Sequence, residues 1–301
     1  SNAMTERIPV LVVGGGPVGL ALAGDLGWRG VASTLVERSD GVIGQPRMDM
    51  VGIRSMEFCR RWGIVPWVES AGYNRAYPQD CAWVTDLNGY EFGREVFVSP
   101  QDEKPPPQSP QKRERCPQNF FDPVLARFAR STGHATLRHQ TELAAFEDRG
   151  DHVLATLRDL RDGREEQVEA QYLVGCDGGS SAVRQGLGIG MTGDAVLTYT
   201  TNVIFRCDGL ERLHTKKPGY RYIFIGPEGT WTWLSEGLWT SIPLTIHKQI
   251  FRDVIAVLLY AVGLGGFIWA FAFWNDRAKK AAAEAAVEKV STYGRPLAVK
   301  R

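Results

Sequence analysis

A run of aliphatic and β-branched residues, Ile8 to Val13, ends abruptly in Gly14-Gly15-Gly16-Pro17-Val18-Gly19. The run is apolar at every position rather than at alternate ones, so it reads as a strand buried on both faces in a parallel sheet. After the glycines, Leu20, Ala21, Ala23 and Leu26 recur at helical spacing between Val18 and Trp28, and Ser33 to Glu37 is a second short strand. Strand, glycine turn, helix and strand make one βαβ unit, with a right-handed crossover. The chain is therefore expected to build an α/β domain on a parallel sheet packed by helices.

The glycines follow the pattern G-x-G-x-x-G, and each has a separate reason. Gly14 permits the tight turn, Gly16 lets a pyrophosphate approach the backbone, and Gly19 lets helix and strand pack closely. The helix start at Pro17 and Val18 adds unpaired N–H groups and the positive end of a dipole. Glu37 closes the second strand 18 residues after Gly19. A carboxylate there accepts hydrogen bonds from ribose hydroxyls and repels a 2′-phosphate, which favours FAD or NAD over NADP. Gly14, Gly16, Pro17, Val18, Gly19, Glu37 and the adjoining Arg38 are thus candidate cofactor residues of a Rossmann-type unit.

Other features set bounds. At 301 residues the chain has room for one large domain or two ordinary ones. Its net charge of +1 gives no electrostatic footprint for nucleic acid. The five cysteines are widely spaced, with no Cys-x-x-Cys and no Cys/His cluster, so no metal is expected. Without a secretory signal at the start, this points to a reduced, cytoplasmic setting. Residues 100–118 form a long Pro/Gln/Lys-rich loop, and Asp122-Pro123 reads as the N-cap and first residue of a helix. His152–Leu157 and Glu165–Ala170 alternate around Asp162-Gly163, a β-hairpin signal. Gln171–Gly175 reads as a further buried strand, and 197–207 and 220–225 as strands of a separate sheet. Composition changes near Gly237, and Val254–Trp274 holds no charged residue over 21 positions. That length suffices to cross a bilayer, which leaves a membrane segment, a buried core helix and a non-native terminus all open.

Three segments carry a resemblance. Gly44-Gln45-Pro46-Arg47, with Val51 and Arg54-Ser55-Met56-Glu57, is similar to the stretch after the second strand in the para-hydroxybenzoate hydroxylase family of flavin monooxygenases. Bacterial hydroxylases of aromatic polyketides and related phenols are closer still. Gln118, Asp122 and Leu125 fit that family's Q-x-x-x-E-x-x-L pattern, with Asp in the Glu position. Tyr172-Leu173-Val174-Gly175-Cys176-Asp177-Gly178-Gly179-Ser180-Ser181 resembles its Asp-Gly motif. The resemblance implies that Arg47 lies near FAD and the nicotinamide entry path, and that Gln118, Asp177 and Gly178 serve the FAD. Read from the residues alone, Arg47 is equally a phosphate partner or a solvated arginine. Likewise Gln118 could mark a plain helix start, and Asp177 a strand-to-helix turn with a capping serine.

The resemblance implies an FAD-dependent monooxygenase that hydroxylates a phenolic or polyketide-like substrate with NAD(P)H and O2, the nicotinamide acting as a transient reductant. The cofactor would carry the chemistry, and no catalytic side chain can be named. The implied architecture is an FAD-binding domain over 4–75 and 108–190, with an inserted substrate-side sheet domain over 76–107 and 191–235 that includes Tyr220, Tyr222, Phe224, Trp231 and Trp233. An atypical apolar, then charged, helical tail follows over 236–301. The family's third element, Gly-Asp-Ala-x-His before a Pro/Gly-rich turn, has no counterpart here; Gly193-Asp194-Ala195 lacks the histidine and lies too early. This keeps open a non-catalytic FAD-binding fragment, possible tethering through 254–274 included. A flavin-dependent halogenase fits less well, because Trp231-Thr232-Trp233 is not followed by the Ile-Pro of the W-x-W-x-I-P pattern. Substrate, choice between NADH and NADPH, and oligomeric state are not written in the sequence.

Overall fold

The structure, a computed structural model, describes residues 6–44, 46–194, 202–206, 212–226, 229–235 and 243–247, with backbone alone for 202–206, 229–235 and 243–247. In chain order the elements begin with β1 (Glu6–Val13), α1 (Pro17–Trp28), β2 (Ser33–Glu37), β3 (Met50–Val51), α2 (Ile53–Arg61) and α3 (Val65–Glu69). Then come β4 (Cys81–Val84), β5 (Glu91–Glu95), β6 (Glu114–Arg115), α4 (Gln118–Ser131), β7 (Ala135–His139), β8 (Thr141–Asp148) and β9 (Val153–Asp159). The series ends with β10 (Glu165–Gly175), α5 (Ala182–Gly186), β11 (Asn202–Arg206), β12 (Arg221–Gly226), β13 (Gly229–Ser235) and β14 (Pro243–His247). Contacts divide the chain into two compact units, one within Ser1–Gln79 and Phe97–Leu197, the other within Asp80–Val96 and Thr198–Arg301.

The first unit holds a six-stranded sheet in the order β7-β2-β1-β10-β9-β8. β1 lies at its centre, parallel to β2 on one side and to β10 on the other. Ile8, Leu11, Val13, Val36, Ala155, Leu157, Val168, Ala170 and Val183 pack into one buried cluster on this sheet. The expected βαβ unit is therefore present, with α1 as the crossover. On α1, Gly24 and Gly27 face α4: a Cβ on Gly24 would come within 2.6 Å of the Phe128 ring, and one on Gly27 within 2.1 Å of the Thr132 hydroxyl oxygen. Small residues on α1 thus set how closely α4 approaches.

The structure corrects three local expectations. The hairpin strand Glu165–Ala170 and the strand Gln171–Gly175 are one strand, β10. Its first part pairs antiparallel with β9, and from Val168 to its end it pairs parallel with β1. The alternation seen in the sequence came from the hairpin half alone. Nor is the second half buried on both faces, since Tyr172 is 62% exposed. α4 starts at Gln118, five residues before the expected first residue Pro123, with Pro117 rather than Asp122 as N-cap. The N–H groups of Phe120 and Phe121 already bond the Pro117 carbonyl. The buried stripe Phe121, Val124, Leu125, Phe128 begins before the proline. Burial of that stripe outweighs the single bond that Pro123 cannot donate.

The second unit holds a sheet in the order β11-β14-β13-β12-β4-β5 among the described residues. Tyr222 is fully buried and donates its hydroxyl to the Lys217 carbonyl at 2.8 Å. Tyr220 is also buried. β14 lies within the stretch expected to be a helical tail and pairs with β11 and β13, so strand structure continues past Gly237. The apolar segment 254–274 and the charged helix expected after it lie outside the described residues. Among the described residues no helix is long and apolar enough to cross a membrane.

Candidate cofactor site

The site forms where β1, β2 and β10 end together at their carboxyl ends, the edge at which open α/β sheets bind ligands. Two backbone bonds tie the three ends: Gly14 N–H donates to the Val36 carbonyl at 2.9 Å, and Cys176 N–H donates to the Val13 carbonyl at 2.7 Å. Gly14 has φ +107°, in the region that favours glycine, and a Cβ there would lie 2.5 Å from the Cys176 carbonyl oxygen. A Cβ on Gly19 would lie 1.9 Å from the Gly14 carbonyl oxygen. These two glycines let the turn, α1 and the end of β10 come together. Gly16 differs: nothing lies within 4 Å of where its Cβ would be. It is the N-cap of α1, where no side chain caps the helix, and no acidic residue lies in the first turn. Val18, in that turn, is 67% exposed. An uncapped helix start beside open space is the cradle an anionic group needs.

Glu37 faces this turn. Its carboxylate accepts from Gly15 N–H at 2.6 Å and from Ser39 N–H at 2.8 Å. Burial works against its charge, but these N–H groups and the neighbouring Arg38 outweigh burial and hold its pKa below the usual carboxylate range. It is therefore an ionised acceptor. The middle glycine, which the sequence pattern leaves as an arbitrary x, proves necessary: a Cβ on Gly15 would sit 2.7 Å from the Glu37 Cβ. The unbroken Gly14-Gly15-Gly16 was the available signal.

Asp177 follows β10. Its carboxylate accepts from the Ser181 hydroxyl and from the N–H groups of Ala182, at 2.6 Å, and Val183, at 3.3 Å. Ser181 in turn caps α5 by accepting from Arg184 N–H. Burial would raise the Asp177 pKa, yet the Ser181 hydroxyl and the helix N–H groups hold it lowered. Asp177 thus anchors the start of α5, as the capping reading of this turn requires. Its neighbour Gly178 is exposed, with φ +84°. Arg184 turns toward the far end of α5 and donates to the Ile189 carbonyl at 2.8 Å.

Gly14–Gly19, Glu37 and Cys176–Asp177 therefore converge as one cluster. Arg47 and Gln118 form a second group by meeting each other. Arg47 is exposed, and its N–H donates to the Gln118 Oε1 at 3.0 Å. Gln118 N–H donates to the Met48 carbonyl at 2.9 Å, and its Nε2 donates to the Asp122 Oδ2 at 3.0 Å. Asp122 was expected to cap a helix; inside α4 it holds Gln118 instead. Burial pushes its pKa up to about 6, with the Gln118 bond opposing only in part.

A folded Asp122 gives up its proton near pH 6, whereas an unfolded aspartate does so near 4. Between those values the folded chain keeps a proton that the unfolded chain has lost. Stability from this group therefore declines as pH rises through that window, by about 2–3 kcal/mol in all. The unfolding free energy of wild type relative to Asp122→Asn, followed by urea titration from pH 4 to 7, should fall by that amount as pH rises. A pH-independent difference would place the carboxylate in contact with water.

The residues fit the dinucleotide half of FAD: an open glycine cradle, an uncapped helix start and an ionised acceptor at the end of β2. The family described as "FAD binding domain" matches residues 7–245. The chain is 32% identical over 218 residues to 4-methyl-5-nitrocatechol 5-monooxygenase from a Burkholderia species, a match covering 72% of this chain and 39% of the relative. Among solved structures, RebC soaked with K252c is similar at a TM-score of 0.72 and 36% identity, over 82% of this chain and 46% of that one. Aklavinone-11 hydroxylase, solved in a ternary complex with FAD and aklavinone, is similar at a TM-score of 0.71 and 29% identity, over 80% of this chain and 46% of that one. The chain thus spans about two-fifths to a half of the length of these relatives. The matched sequence, the shared fold and the glycine–glutamate cradle agree: the chain belongs to the FAD-binding domain family.

Proposed function

We propose that this chain holds FAD with Gly14, Gly16, Pro17, Val18 and Gly19 at its pyrophosphate, and with Glu37 and Arg38 at its adenosine ribose. Arg47, Gln118, Asp177 and Gly178 complete the site. In this reading it serves an FAD-dependent monooxygenase that hydroxylates a phenolic or polyketide-like ring with NAD(P)H and O2. The observation that carries the cofactor assignment is the open space at Gly16 in front of an uncapped α1. Bound flavin supplies the oxygen activation and transfer once reduced by the nicotinamide. The protein's share is to bind and orient. Backbone N–H groups at the start of α1 face the phosphates, and the Glu37 carboxylate, already fixed by Gly15 and Ser39, keeps lone pairs for ribose hydroxyls. The second unit is assigned the substrate-side role, with Tyr220 and Tyr222 in the core of its sheet. The substrate class rests on the names of the relatives.

The test has two stages. Purified chain reconstituted with FAD should show a bound-flavin absorption spectrum, and a spectrum identical to free FAD would defeat the assignment. NADPH or NADH oxidation stimulated by a phenol, with a hydroxylated product seen by mass spectrometry, would support the activity. In a second reading the chain binds FAD but does not hydroxylate. Bound flavin without phenol-stimulated oxidation would select it.

Glu37 allows a graded test. Glu37→Ala should weaken FAD binding by about 1–3 kcal/mol, the worth of a charge-assisted hydrogen bond. Glu37→Gln should lose less, because its amide oxygen still accepts. Equal FAD affinity for wild type and Glu37→Ala, measured by flavin fluorescence, would remove Glu37 from the site.

A further inference from the structure

Asp122 is a buried carboxylate with little to offset its burial. It is 4% exposed. Its Oδ2 accepts from Gln118, while its Oδ1, also buried, has no hydrogen-bond partner. Cys116 interacts with it electrostatically, and Glu114 and Cys59 in turn act on Cys116. Burial raises both thiols, so neither supplies charge to the cluster. A half-satisfied carboxylate in such surroundings destabilises a fold. What it does make is one bond, to a side chain whose direction matters.

The Gln118 amide has a donor end and an acceptor end of nearly equal shape. Arg47 presents an N–H to one end, and Asp122, ionised above about pH 6, a carboxylate to the other. An ionised carboxylate accepts and cannot donate. It therefore selects the orientation with Nε2 toward itself and Oε1 toward Arg47. The backbone bond from Gln118 N–H to the Met48 carbonyl adds a second tie to the same loop. We propose that Asp122 is a positioning residue of the cofactor site: its carboxylate orients the Gln118 amide, and through it anchors the 47–48 loop that presents Arg47. The loop-anchoring half stands on this geometry alone; the link to FAD rests on the function proposed above.

Hydrogen exchange of the Arg47 amide, measured by mass spectrometry on the full chain without FAD, reads the anchor directly. Asp122→Leu should raise Arg47 exchange about tenfold and weaken FAD binding about tenfold, the effect of one lost hydrogen bond of about 1.4 kcal/mol. Asp122→Asn, whose amide oxygen can still accept, should stay within about twofold of wild type in both. A role in packing alone would leave Arg47 exchange unchanged in Asp122→Leu, and that result overturns the proposal. A second pair guards against a poorly folded leucine variant. Gln118→Glu sets two carboxylates against each other and should also raise Arg47 exchange. Combining it with Asp122→Asn, which offers a donor to the new carboxylate, should restore protection. Additive loss in the double variant would overturn the orientation argument. If Arg47 exchange rises in Asp122→Leu while FAD affinity does not change, the cofactor link fails. Gly16→Val then tells whether the FAD assignment itself is at fault, because it alters FAD binding without touching this chain of bonds.

Discussion

Gly16→Val is expected to give a folded protein that has lost FAD binding by about a hundredfold or more, about 3 kcal/mol. The two halves of that result have separate causes. Gly16 has φ −74° and ψ −178°, an extended conformation open to any residue. No protein atom lies within 4 Å of its Cβ position. The substitution therefore meets neither strain nor a clash in the protein, and the urea midpoint should hardly move. The same open volume is where the pyrophosphate approaches the start of α1, so a branched side chain displaces the ligand instead. Wild-type flavin content in Gly16→Val would mean that the glycine turn is structural and that FAD, if bound, lies elsewhere.

Gly19→Ala, three residues on, should fail in the opposite way. Its new methyl would stand 1.9 Å from the Gly14 carbonyl oxygen and 3.3 Å from the Cys176 Cβ. The first contact is with backbone, which cannot rotate aside. α1 would have to shift away from the turn and from the end of β10, separating elements that define the centre of the first unit. The expected cost is about 3 kcal/mol of folding stability, at the upper end for overpacking a tight site. A urea midpoint equal to wild type would contradict the close approach seen here. FAD binding should fall in both variants. Only Gly19→Ala should also lose stability, and the larger side chain at position 16 should be the better tolerated by the fold.

These contrasts show what a glycine pattern contains and what it leaves out. G-x-G-x-x-G names three positions of apparently equal weight. In the folded chain Gly14 is required by its φ, Gly19 by packing, and Gly16 by neither. That leaves Gly16 for the ligand. Gly15 occupies a position the pattern leaves free, yet it is held by Glu37, because the acid at the end of β2 comes back across the turn. Arg47 and Gln118 were placed beside the flavin by resemblance. The structure shows why they belong together: each supplies a hydrogen-bonding group that the other needs.

The sequence by itself determined the βαβ unit, the position of Glu37 and the β9–β10 hairpin. All three are set by neighbours close along the chain: strand and helix periods, turn residues and the length of one crossover. Only the tertiary structure decided where α4 begins, that β10 is a single strand with two partners, and that β14 continues a sheet past Gly237. It alone set Asp122 against Gln118 rather than at a helix cap. Each of these depends on what a residue meets from a distant part of the chain. Burial of Phe121 outweighs the missing N–H of Pro123, and β1 lies parallel to a strand more than 150 residues away. Local periodicity records which residues prefer to be buried, but not what buries them, and the roles of Gln118 and Asp122 depend on that partner.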